Sequence, residues 1–171
     1  KRHGINAVHV YASSGAYRKE ADGKWHFRPR ENEFIFWDLL KKAGIREYVV
    51  TIPVLEALGG PSAMINDYLE RAGRKERITS MTTRYVCKDK LPPEFFENVS
   101  LLVRENLEER AKRGFGQPAF DAWDEPGHLN SEAYAPILDA IRKGGGKTCV
   151  QVLAACFPTL TGRVDIKTYD M

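Results

Sequence analysis

The stretch Gln117-Pro-Ala-Phe-Asp-Ala-Trp-Asp-Glu-Pro-Gly127 is a short apolar run that ends in two adjacent carboxylates, Asp124 and Glu125. A Pro-Gly pair follows at once and stops any regular element. The run predicts a strand over Ala119–Asp124. In an α/β protein, this arrangement places the two acids at the carboxyl end of a strand, where barrel enzymes keep their catalytic groups.

Extended and helical patterns alternate along the rest of the chain. Strands are predicted where β-branched and apolar residues cluster, and helices where apolar residues recur every three or four positions. The predicted strands are Asn6–Tyr11, Glu47–Ile52, Ala119–Asp124, Thr148–Ala154 and Arg163–Thr168, with a weaker one at Ile78–Cys87. The predicted helices are Glu33–Ala43, Ala63–Ala72, Pro93–Arg113 and Ser131–Lys143. The polar stretch Ser13–Arg30 predicts a functional loop or a small hairpin.

This alternation predicts an α/β fold with a mainly parallel sheet. The doubly wound arrangement and the (β/α) barrel both fit the order of the elements. A complete barrel has eight strands and typically about 250 residues, whereas this chain has 171 residues. We therefore predict one domain over residues 1–171, a TIM-type (β/α) barrel or a portion of a larger one. The absence of an initiator methionine also favours a fragment, and leaves localisation unspecified.

The composition is that of an ordinary globular domain, with 43% hydrophobic and 29% charged residues. The net charge is only +3, and basic residues are scattered among acidic ones. The densest basic cluster, Arg71–Arg77, is more typical of a solvated helix end than of a nucleic-acid patch. No apolar stretch approaches the length of a membrane span. We therefore predict neither nucleic acid nor a membrane as a partner, and the oligomeric state is left open.

The motifs that would indicate a cofactor or another chemistry are absent or incomplete in this sequence. Gly144-Gly-Gly-Lys-Thr148 lacks the first glycine of a phosphate loop, and it joins a helix to a strand rather than the reverse. No dinucleotide fingerprint and no G-x-S-x-G elbow are present. Neither the histidines nor the cysteines have metal-ligand spacing; they are His3, His9, His26, His128, Cys87, Cys149 and Cys156. We therefore predict no cofactor and no bound metal.

The acid pair remains the strongest functional candidate. Phe120 and Trp123 are unusual beside acids unless the strand end opens into a pocket, where an apolar wall can raise a carboxyl pKa. The alternative is a strand-to-loop junction with two solvated acids. The residues alone leave both interpretations open.

Three segments carry a resemblance to a known family. Arg113–Gly127 resembles the segment "helix, RGW, Pro, strand, DEP" of glycoside-hydrolase-like barrels, which include retaining β-N-acetylgalactosaminidases with an adjacent Asp-Glu pair. Leu160–Ile166 resembles their "L-x-G-x-V-D-I-W" strand, and His3–Val8 resembles an early barrel strand, "H-G-I-N-A". Lys167 departs from the pattern, because an aromatic residue usually follows Val-Asp-Ile.

The resemblance implies hydrolysis of a glycosidic bond in a carbohydrate, without a cofactor. Glu125 would be the general acid/base. Asp124 would orient a 2-acetamido group whose carbonyl acts as the nucleophile, a recognised exception to the two-carboxylate scheme. Further candidates for substrate contact, chosen because they adjoin the acids or predicted strands, are Tyr11, Trp123, His128 and Asp165.

Two other functions stay open at this stage. The first is a non-catalytic carbohydrate-binding barrel module, in which the acids only hydrogen-bond sugar hydroxyls. The second is a metal-dependent hydrolase that uses a constellation of distant ligands, namely Asp124, Glu125, His128 and Asp165.

Overall fold

The computed structural model describes residues 7–11, 16–45, 47–51, 61–75, 77, 91–121, 131–152 and 162–169. The strands are β1 (Ala7–Tyr11), β2 (Tyr17–Lys19), β3 (Trp25–Phe27), β4 (Glu47–Thr51), β5 (Ala119–Asp121), β6 (Lys147–Val152) and β7 (Ile166–Tyr169). The helices are α1 (Glu31–Lys42), α2 (Pro61–Arg71), α3 (Pro93–Lys112) and α4 (Ser131–Lys143). All four predicted helices are confirmed, with ends that differ by at most two residues. The weak strand predicted at Ile78–Cys87 lies outside the described residues.

The main sheet has five strands in the order β1-β4-β5-β6-β7, and every neighbouring pair is parallel. The parallel pairing expected from the alternation is therefore confirmed. The middle of the sheet is apolar and closed to solvent, since Val50, Phe120 and Val150 are each at most 1% exposed. Buried apolar residues of this kind are typical of parallel strands that are covered on both faces of the sheet.

The predicted TIM-type barrel is wrong. Within the described residues the sheet is open, because β1 and β7 each pair on one side only, and a separate antiparallel sheet of β2 and β3 stands beside it. Closing a parallel barrel requires eight tilted, staggered strands, and local sequence pattern carries no information about whether the first and last strands meet. The described strand order also follows the chain order, without the reversal that defines a doubly wound sheet.

The polar stretch after β1 forms a small hairpin, one of the two outcomes predicted for it. β2 and β3 pair antiparallel, with Tyr17 opposite Phe27. The turn between them is closed by two main-chain hydrogen bonds of 2.9 Å, from Glu20 N to Lys24 O and from Gly23 N to Glu20 O. Gly23 has a φ of +78°. Glycine adopts this left-handed conformation without the strain that a side chain would add.

Glycine follows the end of each helix, as Gly144-Gly-Gly146 after α4 illustrates. Gly146 N donates to Ile141 O and Gly145 N donates to Arg142 O, which is the Schellman arrangement. Gly144 has a second role, because a Cβ there would lie 2.6 Å from Ser100 O and 2.7 Å from Val103 Cβ. The end of α4 therefore approaches the α3 backbone more closely than a side chain allows.

Helix α1 packs its buried face against α3 through aromatic and cationic side chains. The Arg110 guanidinium lies 3.7 Å from the centre of the Trp37 ring, and the Arg113 guanidinium lies 3.4 Å from the centre of the Phe34 ring. Phe115 stacks parallel to Phe34 at 6.4 Å. Cation–π contacts of this kind are strongest when they are withdrawn from water, as Arg110 is at 4% exposure.

Candidate functional site

Three neighbouring strands of the main sheet end in one row. Tyr11, the last residue of β1, is in register with Thr51, the last residue of β4, and Thr51 is in register with Asp121, the last residue of β5. Adjacent strands lie about 4.8 Å apart, so the backbones of Tyr11 and Asp121 are roughly 10 Å from each other. We call this row of strand ends the carboxyl edge. Asp124 and Glu125 follow Asp121 by three and four residues in the chain.

Asp121 is a buried carboxylate at this edge, 1% exposed. Its register partner on β6 is Cys149. Burial, and to a smaller extent the charge of Asp121, raises the pKa of the Cys149 thiol to about 12. The thiol therefore stays protonated at neutral pH and is no candidate for nucleophilic catalysis. Cys149 is a free, buried thiol.

Sequence reasoning included Asp121 in the predicted strand but did not single it out as a site residue. A usable pattern was present, because a carboxylate inside an otherwise apolar strand must be buried with it. The other residues predicted at this end of β5, Trp123, Asp124, Glu125 and His128, lie outside the described residues. Tyr11 is the one predicted contact residue that ends a strand at the carboxyl edge.

Asp165, one of the predicted substrate contacts, hydrogen-bonds to the neighbouring strand. It immediately precedes β7, and its Oδ2 accepts hydrogen bonds from Thr148 N (2.8 Å) and Thr148 Oγ1 (2.9 Å). Thr148 is the second residue of β6, so Asp165 joins the amino-terminal ends of β6 and β7. The Thr148 N–H is also the main reason that the pKa of Asp165 is lowered. These contacts account for the carboxylate without a ligand.

The metal-dependent alternative gains no support from these contacts. Oδ2 of Asp165 already has two donors, and Oδ1 lies 3.8 Å from the Arg142 guanidinium. Within the described ranges, no group of three or more His, Cys, Asp or Glu side chains is arranged to hold a metal ion.

A second group of polar side chains, which the sequence did not reveal, holds the β2–β3 hairpin against α2 and α3. We call it the hairpin clamp, and it consists of Asp67, Asn98 and Glu105. Asn98 is 2% exposed and binds both main-chain groups of Trp25, accepting from the N–H at 2.8 Å and donating to the carbonyl at 2.6 Å. Its oxygen also accepts from Tyr68 Oη at 2.7 Å.

The two carboxylates of the clamp are saturated with donors. Asp67 accepts from Lys19 Nζ (2.5 Å), from Trp25 Nε1 (3.1 Å) and from the Arg71 guanidinium. Glu105 accepts from the Phe27 N–H at 2.8 Å and lies 2.7 Å from His26 Nδ1. Both oxygens of each side chain are therefore engaged within the protein.

His26 is the titratable centre of the hairpin. Besides Glu105, its ring faces Asp22 at 3.1 Å and Glu20 at 3.7 Å. Burial acts to lower the pKa of His26, but the hydrogen bonds to Glu105 and Asp22 outweigh it, so the pKa is raised. A histidine enclosed by carboxylates that also bind main-chain groups stabilises the hairpin rather than acting on a ligand.

A cleft of about 380 Å³ lies beside the hairpin clamp, between the hairpin and helices α2, α3 and α4. Its walls carry acids and bases together, including Glu94, Glu97, Arg104 and Lys143. This mixture of charges favours no ionic ligand of one sign.

No protein-family model matches this chain, and no curated protein matches it. No helix in the described part of the chain is long and apolar enough to cross a membrane.

Proposed function

We propose that the protein hydrolyses glycosidic bonds at the carboxyl edge, with Glu125 as general acid/base and Asp124 as its assisting residue. The observation that carries the proposal is the common row in which β1, β4 and β5 end. Binding and catalytic residues lie disproportionately on loops that a rigid scaffold positions. The acid pair belongs to the segment that leaves the middle strand of this sheet.

The adjacency of the two acids supports one particular mechanism. Two neighbouring residues cannot readily flank a glycosidic bond from opposite sides, as an acid and a nucleophile of the usual retaining scheme must. One acid and a nucleophile supplied by the substrate fit better. A carboxylate beside another carboxylate also has its pKa raised, which helps Glu125 to keep a proton near neutral pH.

The proposed reaction has two steps. Glu125 gives its proton to the glycosidic oxygen as the C1–O bond breaks, and the carbonyl oxygen of the 2-acetamido group forms a bond to C1. Asp124 accepts a hydrogen bond from the acetamido N–H and stabilises the positive charge of the ring that forms. Water then attacks C1 as the bond between C1 and the acetamido oxygen breaks and the amide carbonyl re-forms. Glu125 takes the proton of the attacking water, and the sugar is released with retained configuration.

Paired aryl glycosides test the proposal. One substrate carries a 2-acetamido group and its partner carries a 2-hydroxyl group. We expect turnover of the first only, with kcat/KM reduced by about 10²–10⁴ in Glu125→Gln on a phenol of high pKa. Asp124→Asn should slow the same substrate. Glu108→Gln, an exposed glutamate on α3, is the matched control and should leave the rate unchanged.

The outcome also separates catalysis from simple binding. Saccharide binding without turnover by the wild-type chain would favour the carbohydrate-binding module. Equal turnover of both substrates would contradict the substrate-assisted mechanism, and unchanged turnover in Glu125→Gln would contradict the catalytic role of Glu125.

A further inference from the structure

Helix α1 is apolar on two opposite faces. The inner face, formed by Phe34, Trp37 and Leu40, is buried against the core. The outer face carries Ile35, Phe36 and Leu39, which are 61%, 45% and 57% exposed. Across the described residues, these are the large apolar side chains that stand in solvent.

The three outer side chains form one continuous apolar strip and are not isolated from one another. Residues three and four apart on a helix are neighbours, so Leu39 lies beside both Ile35 and Phe36. Single exposed apolar residues are common on proteins, but contiguous patches mark contact surfaces. A helix that is apolar on both faces is typical of one covered on both faces.

The charges of α1 indicate what covers the strip. An acidic residue, Glu31, begins the helix, and two basic residues, Lys41 and Lys42, end it. Glu31 is bound by Arg113 at 2.9 Å, yet its side chain remains 85% exposed. A second α1 helix laid antiparallel on the first, with Ile35 opposite Leu39 of the second copy, brings Glu31 within one residue of the position opposite Lys42 of that copy. The helix dipoles are then also antiparallel, which is the favourable arrangement.

We propose that the outer face of α1 is the contact surface of a symmetric homodimer in which two α1 helices pack antiparallel. The same patch on both copies is self-complementary, as a twofold interface requires. Three side chains provide much less than the ~800 Å² per partner of a standard interface. The dimer is therefore weak and depends on protein concentration. The proposal is independent of the function proposed for the acid pair.

Sedimentation equilibrium of the whole chain from low to high micromolar concentration tests the contact. We expect a reversible monomer–dimer equilibrium. Ile35→Lys and Leu39→Lys should each raise the dissociation constant about tenfold or more, because each places a charge in an apolar contact. Circular dichroism checks that both variants fold. The control is Ala111→Lys, which adds the same charge at an exposed position on α3 and should change nothing.

A charge exchange tests the antiparallel direction. Glu31→Lys alone places like charges together at both ends of the dimer, and so does Lys42→Glu alone, so each variant should dimerise more weakly than the wild type. An equimolar mixture of the two variants restores opposite charges at both ends and should form heterodimers. Three results would each overturn the proposal. They are a chain that stays monomeric at all concentrations, a dimer whose dissociation constant is unchanged in Leu39→Lys, and a mixture of the two charge variants that forms no heterodimers.

Discussion

In the hairpin clamp, both oxygens of Asp67 and both oxygens of Glu105 accept hydrogen bonds from the protein. At the carboxyl edge the described carboxylate is Asp121, whose register partner on β6 is the protonated Cys149 thiol, and the Asp124-Glu125 pair follows it in the chain. Both regions collect acids, but the acids of the clamp hold the hairpin against α2 and α3. A general acid must instead exchange its proton with a substrate.

The contrast shows that clustered carboxylates alone do not indicate a catalytic site. The hydrogen-bond donors around the carboxylates determine whether the cluster is structural or catalytic. A carboxylate that accepts from an ammonium, an indole N–H and a guanidinium has its charged form stabilised, and its pKa moves down, as that of Asp67 does despite the opposing effect of burial. We therefore expect mutations in the hairpin clamp to lower stability, and mutations of the acid pair to lower the rate of the proposed hydrolysis.

The largest expected effect on stability is at Asn98. Asn98→Leu leaves the Trp25 N–H, the Trp25 carbonyl and the Tyr68 hydroxyl without their partner, and should lower the free energy of unfolding by about 3 kcal/mol. Urea denaturation measures this loss. The adjacent exposed Glu97, replaced by Leu, should change stability by less than about 0.5 kcal/mol. Equal losses at both positions would remove the distinction between the clamp and the surface.

Glu105→Gln should have a smaller effect, about 1–2 kcal/mol. The amide oxygen can still accept from the Phe27 N–H, but the amide group has no charge to offer His26 and Arg28. The comparison is with Glu108→Gln on the same helix, for which no change is expected. A stability unaffected by Glu105→Gln would mean that the hairpin is held by packing alone.

The pH dependence of stability should show the contribution of His26. Because the pKa of His26 is raised above its ordinary value of 6.5, its charged form is favoured in the folded protein. This stabilisation is complete below pH 6.5 and is lost as the pH rises through the folded pKa. The Tm of the wild type should therefore fall over that range more than the Tm of His26→Gln. Parallel curves for the two proteins would contradict this role.

The smallest effect is expected at Cys149, whose thiol should not react with an alkylating reagent. With a pKa of about 12, roughly one thiol in ten thousand is ionised at pH 8, and burial blocks the reagent as well. Peptide mapping after iodoacetamide treatment should find Cys149 unmodified in the folded protein and modified in urea. Rapid labelling of the folded protein would indicate that the carboxyl edge is open to solvent at β6.

Local features of the fold could be predicted from the sequence. The spacing of apolar residues located all four helices, because this signal acts within a few residues. The hairpin was one of two outcomes expected from the polar stretch before α1. Closure of the sheet could not be predicted, because it depends on whether β1 and β7 meet across the whole chain.

The hairpin clamp was missed for a related reason. Asn98, Asn106 and Arg110 occupy the buried face of α3, where the apolar pattern alone was considered. Polar residues at core positions of an amphipathic helix indicate a partner that must satisfy them, and this pattern could have pointed to the hairpin. It could not have identified Trp25 as the partner, which is 73 residues away in the chain.

If Glu125 protonates the leaving group, as proposed, the rate must depend on the acidity of that group. The rates of the wild type and Glu125→Gln are compared on aryl 2-acetamido glycosides whose phenols range from acidic to weakly acidic. A nitrated phenol leaves without a proton, so the two enzymes should differ little in forming the intermediate. For a weakly acidic phenol the deficit should grow to about 10²–10⁴. A deficit that is the same for every phenol, or no deficit at all, would contradict the role of Glu125.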